Sequence, residues 1–150
     1  RLFATGALGG SRLGRHLRVE PRLEEGCFLR DWATAMIDIS DGLASDLHHL
    51  TDMSKLGCDL NLDHIPISDA ARRLEGEEAP LDHALYDGED FELLFTVPQS
   101  RCEPFVAAWR AAFELPCADI GCMTSEPGIV RCLHEDGAES TLRRNGYAHF

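Results

Sequence analysis

The 150-residue chain has no hydrophobic run long enough to cross a membrane as a helix; its first apolar stretch, residues 2–8, is short and broken by glycine. Basic residues are also few: 14 Lys and Arg stand against 26 Asp and Glu, which gives a formal net charge of −12. Nucleic acids and anionic membranes attract proteins through a positive field. The composition therefore argues against both as partners.

Paired cysteine motifs are absent as well. The cysteines form no C-x-x-C pair and have no histidine at zinc-site spacing; they are Cys27, Cys58, Cys102, Cys117, Cys122 and Cys132. We therefore expect free thiols and a reducing, cytoplasmic location. The chain begins at Arg1, without a methionine or a signal-peptide pattern, so we expect it to be a piece of a longer or processed protein.

The first informative stretch is residues 34–43, T-A-M-I-D-I-S-D-G-L. Its apolar residues alternate with other side chains, which predicts a strand with one buried face. Residues 43–56 have the apolar spacing of an amphipathic helix, and Gly57 is expected to end it. Gly42 allows a tight turn between the two elements. The stretch therefore predicts a strand-to-helix junction.

Asp38, Ser40 and Asp41 lie at this junction. Carboxylate oxygens hold Mg²⁺, and the free N–H groups of a helix start receive phosphate oxygens, so the junction suits a metal-bridged phosphate. The alternative is that Asp38 only ends the strand while Ser40 or Asp41 only caps the helix. Further along the helix, Asp46 and His49 are expected to form an ordinary i, i+3 pair on the helix surface.

The second informative stretch is residues 81–97, L-D-H-A-L-Y-D-G-E-D-F-E-L-L-F-T-V. A helix to Tyr86 should break at Asp87 and Gly88, and a strand should begin near Asp90, which leaves Glu89 and Asp90 in the turn. Acidic side chains this close together repel one another unless they are solvated, paired or neutralised by cations. Glu92, inside an apolar strand, should lie on a sheet edge or accept hydrogen bonds.

The remaining elements predict the fold class. Residues 5–14 form a glycine-rich loop whose amides are suited to cradle phosphate, although it matches neither the P-loop nor the dinucleotide fingerprint. A short helix is expected over residues 27–32, Ser68 should cap a helix that runs to Leu74, and Tyr147 is suited to stack on a flat ring. We predict an α+β fold, a layered α/β sandwich with a mixed sheet, with 1–26 as loop and connector and 27–150 as one domain.

Several motifs together resemble the C-terminal half of the thiamine-monophosphate kinase family, within the superfamily of aminoimidazole ribonucleotide synthetase, selenophosphate synthetase and a hydrogenase maturation factor. The motifs are T-G-A-L-G-G-S, R-H-L-R-V-E-P-R, I-D-I-S-D-G-L-A-S-D-L, L-Y-D-G-E-D-F-E-L-L-F-T-V, D-I-G-C-M-T and N-G-Y-A-H-F. They extend over nearly the whole chain. The resemblance implies the C-terminal domain fold of that superfamily.

The resemblance also implies a reaction, in which the γ-phosphoryl group of ATP passes directly to thiamine monophosphate to give thiamine diphosphate. By this resemblance, Asp38 and Asp41 would bind Mg²⁺ and Ser40 would contact ATP. Glu89 would contact the thiamine phosphate, and Tyr147 would lie against its rings. No protein nucleophile is required, which agrees with the lack of a Ser-His or Cys-His motif in the sequence.

The chain also departs from the family pattern. Asp87 replaces a usual glycine, the link between Gly14 and Arg15 is shortened, and the family's N-terminal ATP-binding half is missing. We therefore expect the isolated chain to be inactive and the full-length form to be a homodimer. Two alternatives stay open: a free-standing binding or interaction module of the same fold, and a related kinase or synthetase for another phosphorylated small molecule.

Overall fold

The computed structural model describes residues 1–10, 17, 19–76 and 78–144. The helices are α1 (Leu23–Leu29), α2 (Leu43–Ser54), α3 (Asp69–Arg73), α4 (Pro80–Tyr86) and α5 (Cys102–Ala112). The strands are β1 (Leu2–Thr5), β2 (Ala35–Ile39), β3 (Gly57–Asn61), β4 (Glu92–Thr96), β5 (Cys117–Thr124), β6 (Val130–Leu133) and β7 (Glu139–Thr141). Short 3₁₀ turns occupy Leu62–His64 and Gln99–Arg101.

The strands form one seven-stranded sheet in the order β2-β4-β1-β5-β3-β6-β7. All neighbouring strands are antiparallel except β3 and β6, which run parallel, so the sheet is mixed as predicted. β1 lies between β4 and β5 and joins the segment 1–26 to the rest of the sheet. The boundary at residue 26 stays a prediction.

Helices cover both faces of the sheet. Side chains alternate between the faces along a strand, so Leu94 belongs to an aliphatic core with α2 and α4, while Phe95 belongs to an aromatic core with α1 and α5. In the aromatic core, Phe95 stacks on Phe3, and Phe105 meets both rings edge-on. The predicted layered α+β sandwich is therefore confirmed, and the two cores hold β4 rigidly below the turn that precedes it.

Element boundaries differ from the predictions at two helices. α2 ends two residues before the predicted end, with Lys55 rather than Gly57 in the left-handed region (φ 55°), and Gly57 begins β3. α1 spans Leu23–Leu29 instead of 27–32. The predicted cap of α3 is confirmed, because the Ser68 hydroxyl accepts the Ala71 N–H at 3.0 Å.

The cysteines are all free thiols, as expected. Within the described part of the chain, no helix is both long enough and apolar enough to pass through a membrane.

Candidate functional site

The junction between β2 and α2 is built around Gly42. Gly42, not Ser40 or Asp41, occupies the N-cap position of α2, with φ 95° and ψ 148°. The expectation that Ser40 or Asp41 caps the helix is therefore wrong. A Cβ atom on Gly42 would lie 3.1 Å from the Leu85 carbonyl oxygen and the Tyr86 backbone, so the end of α4 also requires a glycine here.

Asp46, in the first turn of α2, is hydrogen-bonded to the residues that precede the helix. Its Oδ2 atom accepts the N–H of Ser40 at 2.9 Å and the N–H of Asp41 at 3.0 Å. The side chain is buried, with 2% of its surface exposed, so the expected surface position of Asp46 is wrong, although Asp46 does face His49. Polar residues at helical positions usually point outward, and the sequence carries no local signal for this inward turn.

Burial raises the pKa of the Asp46 carboxyl group. The N–H bonds from Asp41 and Ser40 oppose this shift because they stabilise the charged form. The nearby carboxylates of Asp41 and Asp38 raise the pKa further by repulsion. Negative charge is therefore concentrated at this end of β2.

The structure brings Asp41 together with two residues that were not predicted as ligands. One carboxylate oxygen each from Asp41 and Asp46 and a ring nitrogen of His49 lie within 4.8 Å of one another. Asp38 is exposed, lies next to the last residue of β2 and is not a member of this group. These three side chains have the donor atoms of a divalent-cation site. Among them, only Asp41 was predicted as a metal ligand.

The acidic turn before β4 is bonded to the same junction. The Glu89 N–H donates to the Ser40 carbonyl oxygen at 2.7 Å, and the Phe91 N–H donates to the Ile39 carbonyl oxygen at 2.8 Å. Both Glu89 and Phe91 adopt left-handed backbone angles, with φ of 65° and 52°. This conformation turns the chain sharply and places half-buried Glu89 next to Ser40.

Asp90 and Glu92 serve the fold on the other side of the turn. The buried Asp90 carboxylate accepts hydrogen bonds from the N–H groups of Gly9 and Gly10 at 2.8 and 3.1 Å. These two amides, which were expected to cradle phosphate, therefore bind a carboxylate of the protein itself. Glu92 is fully buried and hydrogen-bonded, in agreement with the second of its two predicted environments. The glycine loop is therefore a structural partner of this turn.

Asp87, which replaces the usual glycine of the resembled family, points into the protein. Its Oδ2 atom lies 2.9 Å from Nδ1 of His83, and both residues are buried. Because a carboxylate only accepts, the His83 Nδ1 carries the proton of this bond. The extra carboxylate is thus held by a partner one helical turn away and does not need a cation to neutralise it.

Two sequence expectations lie outside the described residues. Tyr147 belongs to residues 145–150, and the shortened link at Gly14 and Arg15 belongs to residues 11–16. The structure therefore brings together Asp38, Ser40, Asp41 and Glu89 of the predicted site, and adds Asp46 and His49.

Known proteins share this architecture. The curated thiamine-monophosphate kinase of Escherichia coli (strain K12) is 44% identical over 138 residues, which are 91% of this chain and 41% of that protein. The thiamine-monophosphate kinase of Rhodopirellula baltica is 50% identical over 100 residues, 64% of this chain and 32% of that protein. The solved structure of AaThiL complexed with AMPPCP and TMP, at 29% identity, superposes with a TM-score of 0.79 and covers 99% of this chain and 50% of that one.

The chain thus spans less than half the length of the curated relatives that it matches. The junction and the acidic turn lie within residues 4–132. Residues 4–132 match the family described as "AIR synthase related protein, C-terminal domain". The chain belongs to this family.

Proposed function

We propose that this chain is the C-terminal part of a thiamine-monophosphate kinase, which transfers the γ-phosphoryl group of ATP to thiamine monophosphate and forms thiamine diphosphate. Support comes from relatives of that name at 44% and 50% identity and from the similar structure complexed with AMPPCP and TMP. The full-length protein would also contain the ATP-binding N-terminal half, form a homodimer and act in the cytoplasm.

One observation carries the proposal: the hydrogen bond from the Glu89 N–H to the Ser40 carbonyl oxygen. This bond links the junction, whose residues are assigned to Mg²⁺ and ATP, to Glu89, which is assigned to thiamine monophosphate. A direct transfer requires both reactants in one place with the attacking and leaving oxygens aligned. The junction and the turn offer such a place.

The residues present fit Mg²⁺, which prefers oxygen ligands. Asp38 and Asp41 are the proposed ligands. Burial is the main reason that the pKa of Asp46 is raised, and the carboxylates of Asp41 and Asp38 raise it further by repulsion, which a cation would relieve. When bound, Mg²⁺ would offset the repulsion between the two polyanionic reactants. Ser40 is proposed to contact ATP through its side chain, because its N–H and carbonyl groups are already bonded within the protein.

The chain's own residues would contribute binding and orientation. In the described part of the chain, no side chain caps the first turn of α2, so its N–H groups can receive phosphate oxygens. Glu89 would contact thiamine monophosphate near its phosphate group, and Tyr147 would lie against its rings. No side chain needs to form a covalent intermediate in a direct transfer.

Calorimetric titration of the purified chain with thiamine monophosphate tests the proposal, with and without Mg²⁺ and a non-hydrolysable ATP analogue. We expect Glu89→Ala and Tyr147→Ala to weaken binding, while Glu103→Ala, an exposed acidic residue at the start of α5, leaves it unchanged. Thiamine diphosphate formation is expected from the full-length protein and not from the chain alone.

Three outcomes would contradict the proposal. Equal binding by wild type and Glu89→Ala would place the substrate elsewhere. Preference for another phosphorylated molecule would favour a related kinase or synthetase. If full-length protein also fails to bind thiamine monophosphate, the fold serves as a binding or interaction module for a different partner.

A further inference from the structure

The Ser40 backbone is held on both sides. Its N–H donates to Asp46 at 2.9 Å, and its carbonyl oxygen accepts the Glu89 N–H at 2.7 Å. The N–H of Asp41 donates to the same Oδ2 atom of Asp46 at 3.0 Å. A single buried carboxylate oxygen therefore lies at the centre of the contacts that join the junction to the acidic turn.

Asp46 occupies this position at an electrostatic cost. It is 2% exposed, and the charges of Asp41 and Asp38 oppose its ionisation. An apolar residue at this helical position would avoid both penalties, but it would leave the Ser40 and Asp41 N–H groups without an acceptor.

We infer that Asp46 is the positioning residue of the site. Through the two N–H groups, it fixes the direction in which Asp41 presents its carboxylate. Through the Ser40 peptide, it also sets the position of Glu89. Loss of the Asp46 acceptor would therefore weaken cation binding at Asp41 and substrate binding at Glu89 together. The ligand part of this inference rests on the proposed function, whereas the backbone part does not.

The test compares Asp46→Ala and Asp46→Leu, which remove the acceptor, with Asp46→Asn, which keeps an acceptor oxygen and loses the charge. Asp52→Asn is the matched control, because Asp52 lies on the same helix, is exposed and pairs with Arg144. NMR of the ligand-free chain gives hydrogen-exchange rates for the Ser40 and Asp41 amides. We expect faster exchange in the Ala and Leu variants and wild-type exchange in the Asn and control variants.

The ligand arm uses Mn²⁺ as a paramagnetic probe of the metal site and thiamine monophosphate in calorimetry. We expect the Ala and Leu variants to bind both about 10-fold to 100-fold more weakly, the usual loss when a supporting residue of a metal site is removed. The Asn variant should retain most of the binding. If the wild-type chain binds neither probe, the ligand arm is repeated with the full-length protein. Failure there, while the amide exchange responds as expected, refutes the proposed function and leaves the backbone role of Asp46 standing.

Two results would overturn the inference. Equal losses in Asp46→Asn and Asp46→Ala would mean that Asp46 acts through its charge, as a ligand, rather than by positioning. Unchanged amide exchange in the Ala and Leu variants would mean that the acceptor does not hold the junction. If neither variant folds, scalar coupling between the Ser40 amide nitrogen and the Asp46 carboxyl carbon, measured in wild type, decides the matter: its absence refutes the bond.

Discussion

Glu92 and Arg22 form a bidentate ion pair that joins β4 to the residue preceding α1. The guanidinium nitrogens Nε and Nη2 lie 3.0 and 2.8 Å from the two carboxylate oxygens, and the side chains are 15% and 0% exposed for Arg22 and Glu92. The Thr5 hydroxyl donates to the same carboxylate at 2.7 Å. The hydrogen bond from Arg22 to Glu92 is the main reason that the pKa of Arg22 is raised. The Glu92 carboxylate thus connects β4, the first strand and the residue preceding α1.

Removing either member of this pair should destabilise the chain strongly. Glu92→Leu would leave a charged partner that is 15% exposed, and Arg22→Leu would leave one that is fully buried. Breaking a buried pair in this way costs about 3–5 kcal/mol of the free energy of unfolding, and we expect the larger loss for Arg22→Leu. The double variant should lose less than the sum of the two. Urea unfolding of the wild type, the two single variants and the double variant measures the coupling.

The control is Arg30→Leu, which breaks an exposed pair with Asp31 at 3.6 Å and should cost less than about 1 kcal/mol. Strictly additive losses would contradict a coupled pair.

Gly42→Ala should damage the junction through the backbone. At φ 95° an alanine is strained, and its Cβ would press on the Leu85 carbonyl oxygen at 3.1 Å, so we expect a loss of about 1–3 kcal/mol in the free energy of unfolding. Gly26→Ala is the control, since Gly26 lies within α1 with no atom within 4 Å of an added Cβ. It should be neutral or stabilising. A Gly42→Ala protein as stable as wild type would show that the junction relaxes freely.

The junction could be predicted from the sequence because its signals are local. The change from alternating to helical spacing falls within a few residues, and both Gly42 and the Ser68 cap are recognisable residue types in recognisable places. Glu89 could be placed in the turn by the same reasoning, but its contact with Ser40 depends on the pairing of β2 with β4.

The remaining features depend on contacts between distant segments. Arg22 and Glu92 are separated by 70 positions, and nothing near Glu92 indicates its partner. The inward turn of Asp46 depends on backbone N–H groups that precede the helix, while its spacing suggests a surface pair. Lys55 takes the left-handed position although Gly57 follows closely, so the residue type that usually ends a helix did not determine where α2 ends.

Acid should destabilise the chain through His48. Burial lowers the pKa of this imidazole below the ordinary 6.5, although a contact of 3.3 Å with the Leu142 carbonyl oxygen opposes the shift. Below pH 6.5 the unfolded state then binds the proton more readily than the folded state, so the free energy of unfolding falls as the pH drops toward the folded-state pKa. Arg144 and His49 disfavour the charge further, and Asp52 favours it.

Urea unfolding between pH 7.5 and 5 measures this dependence. His48→Gln should reduce the slope, whereas His134→Gln, at an exposed position after β6, should keep the wild-type slope. An unchanged slope in His48→Gln would assign the acid sensitivity to another group.

The neighbouring residues Glu89 and Asp90 should have different roles. Glu89 is half-buried, its backbone N–H is bonded to Ser40, and its carboxylate is proposed to contact the ligand, whereas Asp90 is 4% exposed and holds the Gly9 and Gly10 N–H groups. Glu89→Gln should therefore weaken thiamine monophosphate binding with little change in stability. Asp90→Ala should lower the free energy of unfolding by about 1–3 kcal/mol, because it leaves buried N–H groups without their acceptor.

Calorimetry and urea unfolding on both variants separate these roles. Asp90→Asn is the matched control for the second, since it keeps one acceptor oxygen and should lose less stability than Asp90→Ala. If Glu89→Gln instead destabilises the chain as much as Asp90→Ala, its carboxylate supports the turn and not the ligand. The substrate contact would then have to come from other residues at the junction, because the Glu89 N–H to Ser40 bond is made by the backbone and would survive the substitution.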